Sequence, residues 1–298
     1  MEKRQLGKTD VQVSVLGFGG SEIGFQNATP GTVRQLLSDA LDAGLNVIDT
    51  ATAYLESEQL IGAATVERRK DFYLFTKCGA TDGFTREDWS RAGILRQIEG
   101  SLKNLRTDYL DLIQLHSCSK EELQKGEAIE TLRLARDKGY ARYIGYSGDG
   151  EAARYAIESG AFDTLQTSVN IADQEAVELT LPLALERGMG VIAKRPVANA
   201  VWRNREKPKD SYHHAYWERI EKLDYDFLRG DVSESIGIAL RWTLAQPGVS
   251  TAIVGTTKPG RWRENAALLE AGALPQEQAE AIRRRWLEVA DENWVGQV

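Results

Sequence analysis

The sequence predicts an α/β fold, a (β/α)8 TIM barrel formed by residues 1–298 as one domain. Three observations predict it. Eight short apolar, β-rich runs recur along the chain. Amphipathic stretches of helical length separate them. The β-rich runs show little polar alternation, as parallel strands buried on both faces require. The runs are SVLGFG (14–19), NVIDTA (46–51), FYLFTK (72–77), YLDLIQLH (109–116), RYIGYS (142–147), TLQTSV (164–169), GVIAKRP (190–196) and STAIVG (250–255).

The intervening stretches include 32–44, 92–106, 127–139 and 234–246. Their apolar residues recur at three and four, which gives a helix one face to bury. Gly44, Gly139 and Gly188 follow helical runs where a left-handed C-cap is expected. The opening segment RQLGKTDVQVS alternates and turns at Gly7–Asp10. It is expected to form a short hairpin that plugs the lower end of the barrel. Residues 197–231, after the seventh strand, fit neither pattern and are expected to form a long, lid-like loop. A doubly wound nucleotide-binding sheet is the competing architecture. GFGGSEIG (17–24) does not meet its glycine fingerprint, since the sixth position is Glu22.

Composition removes several function classes. The chain has 298 residues, 37 Lys plus Arg and 44 Asp plus Glu, a net charge of −7. An acidic balance does not fit a general nucleic-acid binder. No run of about 18 apolar residues is present, so no membrane span is expected, and the N-terminus lacks a signal-peptide core. Two cysteines, Cys78 and Cys118, make no disulfide framework and imply a reducing compartment, the cytoplasm. The three histidines (His116, His213, His214) and the absence of HExxH or CxxC spacing imply no metal. The oligomeric state is left open.

Chemistry in a parallel barrel belongs at the carboxyl ends of strands. Those ends supply Asp49, Lys77 and His116 from successive runs, with Tyr54 in the loop after the first of the three. A nearby ammonium is expected to lower the phenol pKa, a carboxylate to hold the ammonium, and an imidazole to polarise a carbonyl oxygen. Each residue alone has a plainer use as a cap, a surface charge or packing. Cys78 and Cys118, just past Lys77 and His116, are read as small filler residues, and Tyr216 or Trp217 as a possible lid contact.

The chain resembles the aldo-keto reductase superfamily, through RQLGKTDVQVSVLGFGG, DTATAYLESE (49–58), FTKCG (75–79), LIQLH (112–116) and IVGTTKPGRWREN (253–265). The resemblance implies an NADP(H)-dependent oxidoreductase that interconverts small aldehyde, ketone or sugar carbonyls and alcohols. It implies a catalytic set of Asp49, Tyr54, Lys77 and His116, with Tyr54 as the acid. Ser147 and Gln166 match the carboxamide contacts, and Lys194, Arg195 and Arg205 the segment that wraps the nicotinamide face and pyrophosphate. Gly255, Thr256 and Thr257 match the phosphate loop, Arg261 the 2′-phosphate contact, and Glu264 and Asn265 the adenine edge. The sequence departs from the family at Leu55, usually Gly, at Gly148, usually Asn, and at Lys194, where an aromatic ring is common. A regulatory subunit that binds NADPH and turns over little, like the potassium-channel β-subunits of the superfamily, is the alternative.

Overall fold

In the computed structural model, which describes residues 1–204 and 206–297, the first barrel strand is Leu16–Gly19. Val47–Asp49, Tyr73–Cys78, Leu110–His116, Ala141–Ser147, Thr164–Ser168, Gly190–Lys194 and Val249–Gly255 follow in order. Each lies beside its predecessor, and the eighth strand closes on the first, with Gly255 opposite Gly19. All eight expected runs therefore become barrel strands. Parallel pairing places every carboxyl end at one rim. Asp49 lies opposite Gly19, His116 opposite Ser147, Ser147 opposite Gln166, and Ser168 opposite Lys194.

The periodic stretches form helices Pro30–Asp42, Arg91–Asn104, Glu127–Asp137 and Val232–Leu244. Thr29, Ser90 and Asp231 cap three of them by accepting from a backbone N–H in the first turn. Gly44, Gly139 and Gly188 all have positive φ, as expected of helix C-caps.

Lys3–Gln5 and Gln12–Ser14 pair antiparallel as the expected hairpin. Its Leu6, Val11 and Val13 join Val47, Phe75, Leu112 and Ile192 in a small apolar cluster that seals one end of the barrel. Gly7 allows this approach. Its φ is +58°, and a Cβ there would lie 2.2 Å from the Gly190 nitrogen.

The interval after the seventh strand is more ordered than a lid-like loop. It contains helix His214–Leu223 and three short 3-10 turns. Tyr216, Ile220, Leu223 and Tyr225 are buried in the main core. It does reach the barrel mouth, where the Tyr212 hydroxyl accepts from Arg195 Nε at 2.8 Å. Tyr216 is a core post and not a lid contact, since its hydroxyl donates to buried Asp173 at 3.1 Å.

Candidate active site

Three strand ends and one loop converge at the rim. Lys77 is 1% exposed, and its ammonium has three protons and three acceptors. It donates to Asp49 Oδ2 at 2.5 Å, to the Thr50 carbonyl at 2.9 Å and to the Tyr54 hydroxyl at 3.5 Å. The Tyr54 oxygen thus accepts from Lys77, which leaves its own proton free to point elsewhere. Asp49 Oδ1 accepts from Gln166 at 3.0 Å and Gln114 at 3.4 Å. Ser147 Oγ donates to Gln166 Oε1 at 3.0 Å, so the expected carboxamide contacts join Asp49, Lys77 and Tyr54 in one hydrogen-bonded network, and His116 stands outside it.

His116 meets the Tyr54 ring edge-on, with centroids 5.5 Å apart. Its Nδ1 is buried and has no hydrogen-bond partner among the described residues. Burial, and then the charges of Lys77, Lys194 and Arg195, hold the imidazole pKa well below its ordinary value. His116 is therefore neutral at physiological pH and carries one ring N–H.

Burial opposes the Lys77 charge, but Asp49 and Tyr54 outweigh it and raise its pKa. Burial pushes the Asp49 carboxyl up, and Lys77 pulls against that. For Tyr54 the expectation of a lowered phenol pKa fails. Burial pushes it above its ordinary value, and the downward pull of Lys77 does not overcome this. The residue keeps some solvent-accessible surface, yet Phe25, Phe84 and His116 rings enclose its own at 6.0, 6.1 and 5.5 Å. That enclosure keeps the phenol protonated, so Lys77 can assist only as the proton leaves.

Leu55 departs from the usual glycine in a turn that requires a left-handed backbone, with φ +50°. Among the residues expected to take the cofactor, Lys194 forms an ion pair with Asp149 at 2.7 Å, the side chains 13% and 3% exposed. Burial, only partly opposed by Asp149, lowers the Lys194 pKa to about 8. Arg195, by contrast, forms no ion pair among the described residues. Its partners are the Tyr212 hydroxyl, Ser168 Oγ at 3.1 Å and the Gln297 carbonyl. Thr256 and Thr257 follow the eighth strand that ends at Gly255, and Arg261, Glu264 and Asn265 lie on helix Arg261–Ala267 beyond. Arg261 and Glu264, expected to contact different parts of a dinucleotide, pair with each other at 3.0 Å. Arg205 lies outside the described residues.

Sequence reasoning missed several participants, Phe25 beside Tyr54 and Ser168 and Tyr212 beside Arg195 among them. Phe84 reaches the site from the loop after the third strand and contacts His116 at 4.9 Å. Gln114, one residue-pair before His116 on its strand, was a visible polar interruption in an apolar run. Asp149 and the tail residue Gln297 carry no local signal. Cys78 and Cys118 are both buried, and burial pushes the Cys118 thiol up to about 12, so neither presents a thiolate. Among the described residues no group of three His, Cys, Asp or Glu could hold a metal ion, and no helix is long and apolar enough to cross a membrane.

The aldo/keto reductase family model matches residues 15–286. The chain is similar to an uncharacterized oxidoreductase of Bacillus subtilis (strain 168), YqkF, at 29% identity, with 95% of this chain and 96% of that protein covered. It is 27% identical to L-galactose dehydrogenase of Arabidopsis thaliana over 93% of this chain and 91% of that protein. The holo form of aldo-keto reductase AKR11C1 from Bacillus halodurans superposes with a TM-score of 0.82 at 29% identity, 99% of each chain covered.

Proposed function

The chain belongs to the aldo/keto reductase family of oxidoreductases, and from that premise we propose that it is an NADP(H)-dependent enzyme interconverting carbonyls and alcohols, with Tyr54 as the general acid. The observation that carries the reading is the Lys77 ammonium, whose three protons go to Asp49, Thr50 and Tyr54. When bound, the nicotinamide cofactor supplies or removes the hydride.

The chain's own groups do the rest. Tyr54 gives its proton to the carbonyl oxygen, and the phenolate left behind faces a fixed cation. In a buried site that stabilisation is much larger than in water. Asp49 keeps Lys77 charged and in place. Neutral His116 donates a hydrogen bond to the same carbonyl oxygen and orients it.

One feature fits a dinucleotide: Arg195 is a partly buried cation with no carboxylate partner among the described residues. Ser147 and Gln166 would hold the carboxamide, and Lys194, Arg195, Gly255, Thr256 and Thr257 the pyrophosphate region. Arg261 would read the 2′-phosphate, and Glu264 and Asn265 the adenine edge. The substrate is a small aldehyde, ketone or sugar-derived carbonyl. The reading places the enzyme in the cytoplasm, where two free, buried cysteines stay reduced.

The test follows NADPH absorbance with pools of small aldehydes and of sugars, run in parallel with NADH. Reverse-direction assays use sugars with NADP⁺, a pool that the L-galactose dehydrogenase likeness makes necessary. Turnover with NADPH in either pool supports the reading. Tight NADPH binding with no turnover in any pool would replace it with the regulatory-subunit reading.

A further inference from the structure

The chain's last described residues lie on the Lys194–Arg195 pair. Trp294 is 7% exposed and packs edge-on against Trp286, with centroids 5.0 Å apart. The Val295 carbonyl accepts from Arg219 Nη2 at 2.7 Å. Gly296 N donates to Glu175 at 2.6 Å, and Gln297 N donates to Asp173 Oδ2 at 3.2 Å. The Gln297 carbonyl then accepts from Arg195 Nη1, from Ser168 Oγ at 3.2 Å and from Lys194 at 3.4 Å. Four of the six main-chain polar groups of 295–297 thus have a partner elsewhere in the fold. Pairing of this kind distinguishes a built contact from a loose terminus.

Arg195 is closely constrained at this contact. Its backbone is left-handed, φ +53°, a conformation costly for a residue with a Cβ unless its surroundings impose it. Tyr212 takes Nε, and Ser168 and Gln297 take Nη1, while Nη2 makes no hydrogen bond among the described residues. All three acceptors are neutral, so the guanidinium is fixed without being discharged. A partly buried cation held this way favours an anion as its remaining partner.

We propose that Trp294–Gln297 is a positioning strap that aims Arg195 at the dinucleotide pyrophosphate, so that dinucleotide affinity depends on a tail that does not itself touch the dinucleotide. The inference rests on the cofactor reading given above. Pre-fixing a flexible cation removes an ordering cost that binding would otherwise bear. The pyrophosphate is common to both cofactors, so the strap acts equally on NADPH and NADH.

Gly296 provides the test. A Cβ there would lie 2.5 Å from the Asp149 Cβ, so Gly296→Val wedges the strap off the rim. Trp294→Ala removes its buried anchor by a different route. Glu292→Val places the same valine at an exposed tail position as control. Dissociation constants for NADPH and NADH are measured by titration on the intact proteins, without substrate. Release of the strap is read separately, from proteolytic sensitivity of the tail and, in Gly296→Val, from a red shift of Trp294 emission. Both strap variants are expected to weaken both cofactors by on the order of tenfold, as for one misplaced charge-assisted contact. Unaltered binding by Glu292→Val, with both strap variants still fully folded at the titration temperature, excludes a general effect. Unchanged or tighter binding with the strap released overturns the proposal. Unaltered binding by Arg195→Met overturns it as well, whereas failure of the wild type to bind either dinucleotide would instead overturn the cofactor reading beneath it.

Discussion

Replacing Asp49 by Asn and Lys77 by Met, singly and together, probes the pair at the base of the site. Both side chains are 1% exposed and their charged atoms are 2.5 Å apart. Asp49→Asn leaves a buried ammonium with neutral acceptors alone, the introduced amide oxygen, the Thr50 carbonyl and the Tyr54 hydroxyl, and no counter-charge. Removing one member of such a pair costs about 3–5 kcal/mol, because the other is left uncompensated. For a chain of this length that lowers Tm by roughly 5–8 °C. Lys77→Met leaves the carboxyl with Gln166 at 3.0 Å and Gln114 at 3.4 Å. Burial already raises the Asp49 pKa above 3.8, so the folded variant favours the protonated acid. The stability this carboxyl contributes is therefore fully present below its unfolded pKa and is lost as pH rises through the raised folded pKa. The double variant carries neither charge, and its cost should fall short of the sum of the single costs by at least about 2 kcal/mol. Denaturant unfolding of the four proteins at pH 7 gives the cycle. Additivity within about 0.5 kcal/mol would refute a coupled buried pair.

Three further outcomes follow from other parts of the site. Arg261→Ala should weaken NADPH about tenfold to a hundredfold and leave NADH unchanged, since a charge-assisted phosphate contact contributes about 1.5–3 kcal/mol; equal losses in the two binding titrations would assign Arg261 to the fold or to adenine. Lys194 has a folded pKa of about 8 against 10.5 for the free group. The unfolded chain thus binds the extra proton between those values, and stability contributed by this group rises from about pH 8 towards 10.5. Lys194→Met should lack that rise when urea midpoints at pH 7.5 and 9.5, chosen as roughly flanking values, are compared with wild type. Leu55 sits at φ +50° and is 47% exposed, so it gains little from burial. Leu55→Gly should raise stability by up to about 1 kcal/mol, the left-handed cost less the entropy of glycine, whereas β-branched Leu55→Val should lower Tm.

The barrel was legible because its signal is local. Each strand and the helix after it bury their own apolar pattern, and the carboxyl ends of Val47–Asp49, Tyr73–Cys78 and Leu110–His116 then fall side by side. Asp49, Lys77 and His116 could be found by reading those ends. The helix at 214–223 was also readable, since Tyr216, Arg219, Ile220 and Leu223 recur at helical spacing and are its buried residues. The balance at Tyr54 was not readable. It depends on how closely Phe25, at the end of the short helix Ser21–Phe25, and Phe84, in the turn Asp82–Phe84, enclose the phenol, and this decides whether burial or Lys77 prevails. The strap was illegible for a related reason. Arg195 and Gln297 are 102 residues apart and meet through a main-chain carbonyl, which no side-chain pattern records.

Tyr54→Phe tests the central claim most directly, because it removes one oxygen and keeps the ring among Phe25, Phe84 and His116. The measurement is the single-turnover rate of carbonyl reduction at saturating NADPH, with the NADPH dissociation constant determined alongside. The rate should fall by about 100-fold or more, as for loss of a positioned acid, while NADPH affinity stays close to wild type. A variant that keeps more than roughly a tenth of the wild-type rate would show that the proton comes from elsewhere.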